Sequence, residues 1–126
     1  MPLLDTIPQT VSTPLINFNP AERKLLISGE SYPENSFEFY TPIIHWVKES
    51  LAAANGFTLD INVSYMNSSS TKCMLDLLDL LEDAHQRDVM VSVIWRYDRE
   101  NPRSLDLAEE FKEEVTLPFS IVESTN

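Results

Sequence analysis

The chain has 126 residues, 43% of them hydrophobic, and a formal net charge of -11. This is the length of one domain with one core, and no apolar run reaches the ~18 residues of a membrane span. The acidity argues against nucleic acid and anionic membrane surfaces, whose binding rests on Lys and Arg, and favours attraction to basic partners.

In chain order, Met1 to Thr10 is polar, carries Pro2 and Pro8, and reads as a loose arm within a single domain spanning 1–126. It has no basic start followed by an apolar stretch, so no signal peptide is read there. Thr13 to Phe18 reads as a short strand. Asn19-Pro20-Ala21-Glu22 is a turn signal, and Lys24 to Ser28 a second strand ended by Gly29. Ser36 to Ala54 has helical period, with Phe37, Tyr40, Ile44, Val47 and Leu51 on one face. Asn35 is its N-cap, Asn55-Gly56 its stop, and Pro42 a kink point. A second stripe, Phe39, Ile43 and Trp46, reads as core-facing.

Phe57 to Met66 alternates, with Phe57, Leu59, Ile61, Val63 and Tyr65 pointing one way. Asn67 to Ser70 breaks the strand, and Thr71 to Arg87 is a helix with Met74, Leu77, Leu78 and Leu81 inward. Val89 to Tyr97 is a strand. Asn101-Pro102 opens a helix running to about Val115. Phe119 to Val122 is a last short strand, and Glu123 to Asn126 a frayed tail.

Helices alternating with strands imply right-handed parallel crossovers. The expected fold is therefore an α/β mixed sheet of about five strands, the last four parallel and the first antiparallel, with about three helices. Loops at the carboxyl ends of parallel strands share one edge. Glu30 to Asn35, Asn67 to Ser70 and Asp98 to Arg103 should meet there.

The segment Asn67-Ser68-Ser69-Ser70-Thr71-Lys72 lies at a helix start, where free N–H groups and the positive dipole end accept a phosphate readily. Ser and Asn also begin many helices simply as caps. Lys72, Arg96, Arg99 and Arg103 are candidate phosphate neighbours or solvated surface charges. Cys73, on a leucine-rich helix, reads as a buried thiol. As the one cysteine it cannot form an internal disulfide, which fits a reducing cytoplasm. His45 and His85 have no metal-ligand spacing. Asp98 and Glu100 form a conceivable hydrolytic carboxylate pair, better read as turn residues.

Three segments carry a resemblance. Gly29-Glu30-Ser31-Tyr32-Pro33-Glu34-Asn35-Ser36, Tyr65-Met66-Asn67-Ser68-Ser69-Ser70-Thr71-Lys72 and Trp95-Arg96-Tyr97-Asp98 resemble, in order, the SiaC family of bacterial regulatory phosphoproteins. The resemblance implies a fold like STAS domains, the anti-sigma-factor-antagonist fold, and a partner-switching role without enzymatic activity or cofactor. A cognate kinase would phosphorylate the protein and a PP2C-type phosphatase would reverse this. The unphosphorylated form would engage a diguanylate cyclase and promote cyclic-di-GMP signalling and biofilm formation. The family motif reads Asn-Thr-Ser-Ser with the threonine phosphorylated. Ser68 stands at that position, with Ser69 and Ser70 as alternative acceptors. Tyr32, Pro33, Glu34, Asn35, Asn67, Ser69, Lys72 and Arg99 become the expected partner-binding residues. The competing readings are a non-phosphorylated module binding a protein or nucleotide at the same edge, and a small hydrolase using Asp98 or Glu100.

Overall fold

Period-two burial defines the sheet. Leu25 and Ile27, Leu59 and Ile61, and Val91, Val93 and Trp95 are buried, while the residues between them on the opposite face are mostly half-buried. The elements run β1 (Leu15–Asn19), β2 (Lys24–Ser31), α1 (Ser36–Ala53), β3 (Phe57–Met66), α2 (Ser68–Gln86), β4 (Val91–Tyr97), α3 (Pro102–Glu113) and β5 (Phe119–Glu123). They are taken from a computed structural model describing residues 4–53 and 55–124. The expected ends of the arm (1–3), of the first helix (Ala54) and of the tail (125–126) lie outside the described residues. Among the described residues no helix is long and apolar enough to cross a membrane.

Strand order is β1-β2-β3-β4-β5, with β1 antiparallel to β2 and the others parallel. The expected topology is therefore present. The β1–β2 turn is built by Asn19, whose Oδ1 accepts the N–H groups of Ala21 and Glu22. All three crossovers step the same way across the sheet, so right-handedness puts α1, α2 and α3 on one face. The core lies between that face and the helices. On the other face the Arg96 guanidinium grips Asp60 at 2.9 and 3.1 Å.

Several elements differ from the sequence reading. The arm is held by a bridge between Ile7 and Ile16, with N–H···O bonds of 2.9 and 3.0 Å in the two directions. Strand β2 passes through Gly29, at φ +125°, and continues to Ser31. Helix α2 starts at Ser68 rather than Thr71, because Asn67 in extended conformation caps it through Ser70 N–H at 2.9 Å. Helix α1 runs unbroken through Pro42, which sits on its exposed side, where the carbonyl it leaves unpaired can bond water.

Two aromatic positions are corrected. Phe37 is 49% exposed and Ile44 only half-buried, while Tyr40, Ile43, Val47 and Leu51 are buried. Ser36 takes the inward position of the first turn, and Phe37, one residue on, is rotated about 100° away. In β3 the register slips: Gly29 pairs with Val63 but Glu30 with Tyr65, leaving Ser64 as an extra residue. The slip reverses the alternation. Tyr65 therefore turns outward at 55% exposure, and Met66 enters the core. Of the second stripe, Ile43 is fully buried and Phe39 and Trp46 pack on the core, Trp46 edge-on to Phe18 at 4.6 Å.

Candidate functional site

The carboxyl ends of β2 and β3 lead into the starts of α1 and α2, and the two connections are stitched together. Asn67 N–H donates to the Ser31 carbonyl at 2.9 Å. The Asn67 amide nitrogen donates to the Pro33 carbonyl at 3.4 Å. Tyr32 and Tyr65 meet edge-to-face with ring centroids 5.9 Å apart. Asn35 caps α1 by accepting Glu38 N–H at 3.1 Å. Glu34 and Asn35 are both exposed.

The three serines differ in environment. Ser68 is exposed, Ser69 half-buried and Ser70 fully buried. Among the described residues the Ser68 hydroxyl has no hydrogen-bond partner, and its place at the first helical position puts it beside the unpaired N–H groups of the helix start. Ser70 Oγ accepts from Ser31 Oγ at 2.8 Å and lies 3.0 Å from Ser36 Oγ. Ser31 Oγ is 2.7 Å from the Tyr40 hydroxyl. Ser69 Oγ donates to Ser36 Oγ at 2.8 Å and towards Asn67 Oδ1 at 3.2 Å. Ser36 Oγ also lies 3.4 Å from Asn67 Oδ1 as a donor.

Each hydroxyl has one proton, so one order satisfies every contact. Tyr40 donates to Ser31, Ser31 to Ser70, Ser70 and Ser69 to Ser36, and Ser36 towards Asn67 Oδ1, with Ser69 leaning more weakly to the same oxygen. Burial pushes the Tyr40 hydroxyl up to about 12, against the lowering effect of its bond to Ser31. The phenol therefore stays protonated and holds the end of the chain. Burial likewise raises the Cys73 thiol, with Asp76 adding to the effect. Cys73 is buried, as expected of a structural thiol.

The charged candidates are dispersed. Lys72 is exposed, one turn beyond Ser68 on the same helix. Arg99 pairs with Glu123 at 3.3 Å in the loop after β4. Arg96 is committed to Asp60. Arg103 lines a groove of about 440 Å³ between the end of β3 and α3, together with Ser64, Tyr65, Met66, Thr71 and Asn101. That groove brings the third expected loop to the same edge. Asp98 Oδ1 accepts Glu100 N–H at 2.9 Å, which makes this pair a turn rather than two facing carboxylates. Among the described residues no group of His, Cys, Asp and Glu could hold a metal ion.

Ser31, Ser36 and Tyr40 were not singled out from the sequence as site residues. Their signal was present: both serines flank the Tyr-Pro-Glu-Asn run, and Tyr40 is the polar-tipped member of an otherwise apolar stripe.

Fold and site together define a small α/β regulatory domain that presents one exposed serine at a helix start on the carboxyl edge of its sheet. The chain belongs to the SiaC family of regulatory phosphoproteins, whose model matches residues 7–124. An uncharacterised protein of Pseudomonas aeruginosa strain UCBPP-PA14 is 47% identical over 116 residues, covering 91% of this chain and 92% of that one. A chain in the crystal structure of the P. aeruginosa diguanylate cyclase SiaD in complex with its activator SiaC matches with a TM-score of 0.90. It is 46% identical and covers 94% of this chain and 98% of its own. Apo-SiaC of P. aeruginosa matches with a TM-score of 0.88 at 44% identity, over 94% of this chain and 99% of that one.

Proposed function

We propose that this chain is a phosphorylation-controlled partner switch. The unphosphorylated form binds and activates a diguanylate cyclase, a cognate kinase phosphorylates Ser68 and thereby releases the cyclase, and a PP2C-type phosphatase restores the active form. The cyclase enters through the likeness to SiaC, which is described as the activator of SiaD. The observation that carries the acceptor assignment is that, of three consecutive serines, Ser68 alone combines exposure with a hydroxyl that has no hydrogen-bond partner among the described residues.

The physics of the switch is local. A phosphoserine at a helix start meets favourable N–H groups and dipole, worth roughly 0.3–1 kcal/mol at an exposed site, so the domain remains folded. A partner packed over the unmodified hydroxyl would have to accommodate and desolvate a dianion. A tenfold loss of affinity needs only about 1.4 kcal/mol. Tyr32, Pro33, Glu34, Asn35, Asn67, Ser69 and Lys72 surround or flank Ser68 and form the partner face in this reading. Arg99, paired with Glu123, lies at its periphery. The protein acts in the cytoplasm by binding, with no catalysis of its own.

The test maps phosphate by mass spectrometry after incubation with the kinase and ATP, then measures cyclase affinity and cyclic-di-GMP output for both forms. Phosphate on Ser68 with loss of cyclase binding is expected. Phosphate elsewhere, or unchanged cyclase affinity, would overturn the reading.

A further inference from the structure

We propose that Ser36, at the first turn of α1, is a specificity-determining residue that confines phosphorylation to one hydroxyl of the Ser68-Ser69-Ser70 run. The inference rests on the switch reading above and concerns how the site is restricted.

Three adjacent serines on one helix start present a kinase with three chemically equal nucleophiles. Transfer from ATP forms a bond between a serine Oγ and the γ-phosphorus and breaks the bond from that phosphorus to the ADP leaving group. The hydroxyl proton passes to a base of the kinase. The attacking oxygen must therefore offer a lone pair outward and release its proton outward.

Ser70 can do neither, because its hydroxyl is fully buried between Ser31 and Ser36. Ser69 is different, being only half-buried. Its proton is directed inward, to Ser36 Oγ at 2.8 Å and more weakly to Asn67 Oδ1 at 3.2 Å. Ser36 is 1% exposed and is itself tied to Ser70, so it cannot follow Ser69 outward. The shorter of the two inward bonds belongs to a residue on a different helix, far away in sequence. The geometry thus makes Ser36 a latch on Ser69, and Ser68, which has no such partner among the described residues, is left as the nucleophile.

The latch also explains how serine is tolerated at all three positions. Burial alone removes Ser70 from reach, but half-buried Ser69 stays accessible beside exposed Ser68. The hydrogen bond across to α1 makes the second distinction, between Ser69 and Ser68.

The experiment incubates the full chain with the cognate kinase and ATP and maps sites by tandem mass spectrometry. Wild type should take one phosphate, on Ser68. Ser36→Ala should take a second on Ser69, at a rate about tenfold above wild type at that site. Ser36→Thr, which keeps a hydroxyl, should return to one site. Ser68→Ala should take no phosphate, whereas Ser68→Ala with Ser36→Ala should take one on Ser69.

Modification of a folded Ser36→Ala protein on Ser68 alone overturns the proposal. So does ready modification of Ser69 in Ser68→Ala, whose altered side chain is exposed and leaves folding intact. A wild type that takes no phosphate on any of the three serines overturns the switch reading itself, and this inference with it.

Discussion

The Glu82 carboxylate clamps Thr116 from two sides: one oxygen accepts Thr116 N–H at 2.8 Å and the other accepts its hydroxyl at 2.6 Å. Leu117 N–H and the Gln86 amide complete the set, tying α2 to the turn before β5. Desolvation raises the carboxyl, but these donors outweigh it and push it down to about 2 from an ordinary 4.5. A depressed folded value stabilises the fold above the unfolded value, and that contribution fades as pH falls from about 4.5 towards 2. Glu82→Gln should cost about 1 kcal/mol at pH 7, after discounting for solvent screening. Urea unfolding of both proteins should show the gap closing towards pH 2.

A Cβ added at Gly29 would fall 2.9 Å from the Gln9 side chain, at a backbone φ of +125°. Gly29→Ala should therefore lose about 1–3 kcal/mol from backbone strain, while the flexible end of the Gln9 side chain swings aside and the arm stays in place. Gln9→Ala added to it should leave that loss unchanged. Hydrogen exchange at the Ile7 amide, which donates to Ile16, reads the arm directly.

Ser70→Ala should destabilise the domain by about 1–3 kcal/mol, because Ser31 and Ser36 each lose a buried partner. Ser68→Ala should stay within about 0.5 kcal/mol of wild type, as an exposed substitution without a lost bond. Equal losses in denaturant titrations would show that the hydroxyl chain contributes nothing to folding.

Asp60 has a side chain only 6% exposed and paired to Arg96. Arg96→Leu should cost about 3 kcal/mol by stranding a buried carboxylate. Asp60→Val combined with Arg96→Leu should cost less than Arg96→Leu alone, since no charge is then left unpaired. Chemical denaturation of the two variants decides it.

The number of strands, the parallel run of four and the one antiparallel strand were legible in the sequence because turn residues and alternation recur at every junction of the chain. Local pattern could not reveal what depends on a second strand. The slip at Ser64 that turns Tyr65 outward is set by pairing with Gly29 and Glu30, which are far away in sequence. Helix α2 begins three residues early because the Asn67 side chain satisfies an amide that period counting treats as loop. At the site, the serine run was visible as a run. Its sorting into an open, a latched and a buried hydroxyl was not, since that depends on Ser31, Ser36 and Tyr40 meeting it in space.

Because the five strands lie side by side in chain order, the sheet can be assembled vectorially as the polypeptide leaves the ribosome. Each strand emerging after the first hairpin finds its neighbour already made, and no later segment must be inserted between earlier ones. Such sequential pairing keeps loop-closure costs small and favours rapid folding. The exposed liability during synthesis is the growing edge. Trp95 on β4 gains its stacking partners, Phe111 at 4.7 Å and Phe119 at 6.1 Å, only when α3 and β5 arrive. Nascent chains stalled before β5 are thus the species most exposed to aggregation and most in need of a chaperone.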